Sequence, residues 1–75
     1  MNREKILDIL KEIQPTEDFE NSDNFILDGL LDSFDVVQLV SDLETAFSVH
    51  ISALEILPEN FQSIDSILSL LEKSK

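Results

Sequence analysis

Apolar residues recur at helical spacing in three stretches of this chain, separated by polar connections that carry its two prolines. In the first, residues 3 to about 13, Ile6, Leu10 and Ile13 form a stripe with Leu7 and Ile9 beside them. Glu4, Lys5, Asp8, Lys11 and Glu12 take the wet side. Asn2 is the expected cap and Pro15 the stop. The second stretch runs from Phe34 to Phe47, where Val36, Val40, Leu43 and Phe47 follow at steps of four, three and four, one face of a helix. Val37, Leu39 and Ala46 flank that stripe. Either Asp32 or Ser33 can cap this helix through a side-chain oxygen, and Asp35 adds negative charge to the first turn, where the helix dipole favours it. The third stretch, Ile64 to about Lys73, has Ile64, Ile67, Leu68 and Leu71 as its stripe, Ser63 as cap, and Lys73 and Lys75 at the favourable end.

The connections carry their own signals. Residues 15 to 31 form a long link, acidic through Glu17, Asp18, Glu20 and Asp23, and Phe19 with Phe25-Ile26-Leu27 is expected to pin it to the core. Gly29 is the only glycine and is expected to supply a backbone conformation other residues reach poorly. Residues 48 to 52 read as an extended connector with Val49 and Ile51 turned inwards. Residues 53 to 57 read as a turn or so of helix before Pro58, and Phe61 as a core anchor. The fold class is all-α: a small antiparallel bundle of four helices, three longer and one short, with residues 1–75 as a single domain.

Composition narrows the function. A 75-residue chain buries only roughly 60% of its unfolded surface, which argues against a deep enclosed active site. There is no cysteine, so disulfides and thiolate metal sites are excluded. The start Met1-Asn2-Arg3-Glu4-Lys5 leads into no signal-peptide core and no long apolar run follows, so a soluble, cytoplasmic protein is expected, without membrane insertion. Sixteen acidic residues against five basic ones give a net charge of -11, which repels nucleic acid and steers basic partners towards the surface.

Catalysis finds little support. Ser33, the single His50 and an aspartate could nominally make a triad, but no Gly-x-Ser-x-Gly pattern is present, and His50 reads as an exposed connector residue. No metal site is expected either. A calcium loop over 18–29 would need glycine where Asp23 stands. One starting at Asn24 puts Ile26 at a ligand position and Asp35 in place of the closing glutamate. A third possibility makes Ser33 a substrate, since a hydroxyl at a helix start can accept a covalent group and a phosphodiester there meets the positive end of the dipole.

Asp32-Ser33-Phe34-Asp35, followed by Val37, Leu39, Val40, Leu43, Glu44 and Phe47, resembles the phosphopantetheine attachment motif of acyl carrier proteins, Asp-Ser-Leu-Asp and then a helix ending Leu-Glu-x-x-Phe. Phe25 to Gly29 is similar to that family's approach loop, Val49-His50-Ile51 to the segment after its second helix, and Phe61-Gln62-Ser63-Ile64 to the start of its last helix. The resemblance implies a non-catalytic, monomeric four-helix carrier whose Ser33 receives 4′-phosphopantetheine from coenzyme A through a magnesium-dependent phosphopantetheinyl transferase. Acyl or aminoacyl groups would then ride as thioesters, loaded by a ligase and passed to acyltransferase or synthase enzymes. Asp32, Phe34, Asp35, Gln38, Ser41 and Glu44 match the positions that meet partners. Gln38 stands where carriers of fatty acid synthesis usually have glutamate and Ser41 where they often have methionine, so the chain looks closer to stand-alone carriers of peptide or polyketide assembly and to D-alanyl carrier proteins. The competing class is an unmodified acidic helical adaptor for a basic protein, which would need Asp32 and Asp35 but not the Ser33 hydroxyl.

Overall fold

The computed structural model describes residues 2–74. Three α-helices form: α1 (Asn2–Ile13), α2 (Ser33–Phe47) and α3 (Ile64–Lys73), with single 3-10 turns at Phe19–Asn21, Ala53–Glu55 and Pro58–Asn60. Among the described residues there is no strand, so the fold is all-helical. Helix α1 packs against both α2 and α3. Asn2 is already helical and therefore is not the cap of α1, whereas Ser63 caps α3 as expected, its Oγ accepting the Ser66 N–H at 3.1 Å. Lys75 lies outside the described residues.

The short helical piece expected at 53–57 forms as the single 3-10 turn Ala53–Glu55, with a second such turn at Pro58–Asn60, and no fourth α-helix forms among the described residues. Pro58 is the reason: it has no N–H to continue a helix and disfavours helical backbone at Leu57, which sits extended at φ -119, ψ 145. Asn60 Nδ2 then donates to the Glu55 carbonyl at 2.6 Å, supplying the partner that a continued helix would have given.

Ile6, Leu10, Leu39, Leu43, Phe61 and Ile67 are fully buried and form the centre of the core. The apolar faces are rotated slightly from the periodic reading. Leu39 and Leu70 are buried, while Val36, Phe47, Ile64 and Leu68 sit half-buried at the edge. The long link folds over this core as expected, with Phe19 and Phe25 both buried and their rings 5.1 Å apart edge to face. Leu27 departs from the expected cluster and points outward, 83% exposed. It follows Asn24, whose Oδ1 accepts the N–H groups of Ile26 and Leu27 in a tight turn that carries Leu27 over its outer side.

At its far end α2 closes on Ser48, a non-glycine residue in the left-handed region at φ 54, with the Val49 N–H returning to the Glu44 carbonyl at 3.2 Å. Lys5 reinforces this end, its Nζ donating to the Ala46 carbonyl at 2.9 Å and lying 4.9 Å from the Phe47 ring centroid. A side chain in the left-handed region costs about 1 kcal/mol. Ser48→Gly is therefore expected to raise the free energy of unfolding by about 0.5–1 kcal/mol. Urea unfolding of the two proteins checks it, and an unchanged or lowered midpoint would refute the reading of that cap.

Candidate functional site

The approach to α2 is fixed by hydrogen bonds from the far end of the chain. The Phe25 N–H donates to the Gln62 carbonyl at 2.7 Å, and Asn24 Nδ2 donates to Gln62 Oε1 at 3.1 Å. The link then closes on itself, with the Leu30 N–H on the Phe25 carbonyl at 2.9 Å and Ser22 Oγ donating to Asp28 at 2.6 Å. Gly29 lies at φ +75, with nothing within 4 Å of where a Cβ would stand. The glycine is thus needed for its backbone alone. Gly29→Ala is expected to cost about 1 kcal/mol from that conformation, with no added clash. A loss well above that in chemical denaturation would mean the loop is more tightly packed than described.

Asp32, not Ser33, caps the helix. It sits extended at φ -106, ψ -176, and its Oδ1 accepts the Asp35 N–H at 2.9 Å. Asp35 Oδ2 accepts the Asp32 N–H in return at 3.2 Å, completing a capping box with aspartate where glutamate is commoner. Ser33 is left as the first helical residue, exposed, with its hydroxyl in no hydrogen bond among the described residues. Beside it, Phe34 projects into solvent at 86% exposure.

Next to Ser33 an open, mostly apolar cleft of about 410 Å³ runs between the head of α2 and the 56–58 segment. Ile26, Leu31, Val36, Val37, Ile56 and Pro58 line it along with Asp32 and Ser33. The arrangement fits a 4′-phosphopantetheine ester. The hydroxyl is free, the first amides of α2 are not needed within the helix, and the cleft offers apolar surface to a flexible arm. The electrostatics do not favour an added anion once both carboxylates are counted. A helix N-terminus stabilises an anion by about 0.3–1 kcal/mol, while a carboxylate about 6 Å away opposes it by about 0.7 kcal/mol in water. Asp32 and Asp35 flank the position, so a phosphodiester there would be held by its covalent bond and not by its charge.

The other expected partner-facing residues divide into two groups. Phe34, Asp35 and Gln38 meet in a shallow depression against Glu12 and Ile13 of α1, with Gln38 Nε2 donating to Asp42 at 3.0 Å. Ser41 is exposed one turn further along. Asp35 and Glu44 have structural duties as well. Asp35 closes the capping box and also accepts from Gln14 Nε2 at 2.8 Å. Glu44 Oε2 accepts the Ile51 N–H at 2.8 Å and lies 3.4 Å from Nδ1 of the exposed His50, so it ties the connector after α2 to the helix. Three site residues escaped the sequence reading. Ile56 and Pro58 had only their apolar character on a connector to mark them as cleft walls, and Gln14 had no local signal.

The family model for the phosphopantetheine attachment site matches residues 3–71. The chain is 33% identical over 75 residues to the D-alanyl carrier protein of Listeria welshimeri, covering 97% of this chain and 96% of that protein. It is 32% identical, with the same coverage, to the D-alanyl carrier protein of Listeria innocua. No solved structure matches. Among the described residues no helix is long and apolar enough to cross a membrane.

Proposed function

This chain belongs to the acyl carrier protein family and carries covalent 4′-phosphopantetheine, and from that premise we propose that Ser33 is the point of attachment. The observation that carries the reading is the position of Ser33: first residue of α2, exposed, relieved of capping by Asp32 and placed at the mouth of an apolar cleft. In the loading step Ser33 Oγ attacks the phosphorus of coenzyme A that bears the pantetheine. A new P–O bond forms to serine, the P–O bond to the nucleotide breaks, and adenosine 3′,5′-bisphosphate leaves. The hydroxyl proton passes to a base of the magnesium-dependent transferase, because the described residues place no base on Ser33 Oγ. The group supplies a thiol on which cargo rides as a thioester.

The chain's own residues present and protect that ester. Asp32 and Asp35 hold the helix start, and Ile26, Val36, Val37 and Ile56 offer an apolar bed to the arm. The acidic surface and the exposed Phe34 form the face that basic partner enzymes meet, with Gln38 and Ser41 beside it. Those partners are the transferase, an aminoacyl-loading ligase and a downstream transfer enzyme. The likeness to D-alanyl carriers, together with glutamine at Gln38 and serine at Ser41, favours a small aminoacyl cargo, D-alanine first among those to try. The protein acts as one monomeric carrier domain in the cytoplasm, a four-helix carrier in which the two turns at 53–60 stand for the short helix.

The test is intact mass after incubation with coenzyme A, magnesium and a broad-specificity transferase. One phosphopantetheinyl group is expected on the folded chain. No addition with several transferases would refute the reading.

A further inference from the structure

One oxygen of Asp35 receives hydrogen bonds both from its own helix cap and from a distant part of the chain. Oδ2 accepts the backbone N–H of Asp32 at 3.2 Å and the side-chain amide of Gln14 at 2.8 Å. The first bond is at the long end of the N–H···O range and by itself holds the carboxylate poorly. The second is shorter, assisted by the carboxylate's charge, and part-buried. Gln14 is in turn well anchored. Its N–H donates to the Leu10 carbonyl at 2.9 Å, and its own carbonyl accepts the Glu17 N–H at 3.3 Å, so it prolongs the last turn of α1 and starts the turn that follows. The end of one helix thus fixes the carboxylate that closes the cap of another.

We propose that Gln14 is a positioning residue for modification of Ser33, acting through Asp35: its amide locks the Asp32–Asp35 capping box and so holds Ser33 as the first residue of a firm helix. The inference rests on Ser33 being the attachment site. A neutral amide suits the task, because it orients the Asp35 carboxylate without cancelling the charge that the acidic face presents to basic enzymes. A lysine there would neutralise it. With the amide removed, Asp35 turns to solvent, the Asp32 N–H loses its partner and the first turn of α2 frays. Ser33 then spends less time in the geometry the transferase needs, while the docking charges stay as they were. The defect belongs in kcat and not in KM.

The experiment measures loading with coenzyme A, magnesium and a broad-specificity transferase for the full chain, Gln14→Leu, Asp35→Ala and the double variant. Gln14→Leu is expected to lower kcat about three- to tenfold at unchanged KM, the range for losing one ordinary part-exposed hydrogen bond. In the Asp35→Ala background it should change nothing further, since the residue through which it acts is gone. Amide hydrogen exchange at Asp32 should quicken in Gln14→Leu while that of the buried Leu43 stays as in the parent. Should Gln14→Leu fold poorly, Gln14→Glu keeps the size, replaces the donor by an acceptor, and should show a kcat loss at least as large. Equal kcat in a folded Gln14 variant, a change confined to KM, or an undiminished effect in the Asp35→Ala background would overturn the inference and leave the attachment site standing. Failure of the parent chain to be loaded at Ser33 would overturn both.

Discussion

Ser33→Ala is expected to remove phosphopantetheine loading altogether and to leave the fold in place. Both halves follow from the division of labour at the head of α2. The hydroxyl has no hydrogen-bond partner among the described residues, and the side chain is exposed, so its loss leaves no cavity and no orphaned donor. The cap is made by Asp32 and Asp35, which the substitution leaves alone. Alanine is also the better helix former at an exposed helical position, by up to about 0.5 kcal/mol. Thermal unfolding should therefore shift by no more than about 0.5 kcal/mol in either direction, whereas loading should fall from complete to none, because no other group occupies that position. Asp32→Ala should behave in the opposite sense. It keeps the hydroxyl, loses about 1 kcal/mol of capping, and is loaded more slowly. If Ser33→Ala unfolded the domain, Ser33 would be a structural residue and the adaptor reading would regain ground.

Phe61→Ala should have the largest effect on stability. Phe61 is fully exposed in an unfolded chain and wholly buried here, at the junction of the 58–60 turn and α3. Truncating a buried phenylalanine costs about 3–5 kcal/mol. A chain of this length has about 4–11 kcal/mol in total, so the variant should lose a quarter or more of its stability and unfold at much lower urea. The site would suffer with it, since the neighbouring Gln62 carries both hydrogen bonds that hold Asn24 and Phe25 at the start of the approach loop. Urea denaturation followed by circular dichroism provides the measurement. A loss under about 1 kcal/mol would show that the 61–63 segment is not the anchor described here.

The three long helices were legible in the chain because each buries a stripe at helical spacing, and their ends fell within a residue or so of the expected bounds. Family membership was legible as well, through the resemblance of Asp32-Ser33-Phe34-Asp35 and the helix after it to the attachment motif, since Asp-Ser before an amphipathic run reads by itself as a cap. Local pattern left the choice between Asp32 and Ser33 as cap open, since both side chains serve equally well; the reciprocal bond from Asp35 settles it. What periodicity missed was set by tertiary neighbours. The outward turn of Leu27 follows from Asn24 accepting the Ile26 and Leu27 amides, and the break between the 53–55 and 58–60 turns from Pro58. Asp35 and Glu44 read from sequence as a solvated acidic face, yet each has a carboxylate oxygen engaged by a group outside its own helix. For that reason charge reversal at Asp35 would mix lost docking with a broken cap, and a clean test of docking has to fall elsewhere on the face, at Gln38 or Ser41.

The measurement that bears most directly on the central claim is fragment mass mapping of the loaded chain, to find which residue carries the phosphopantetheine. The account requires all of it on the peptide containing Ser33, with none on exposed Ser41 or on Ser48 at the other end of α2. Modification of any other serine, or an unmodified Ser33 in protein that has gained the group, would contradict it.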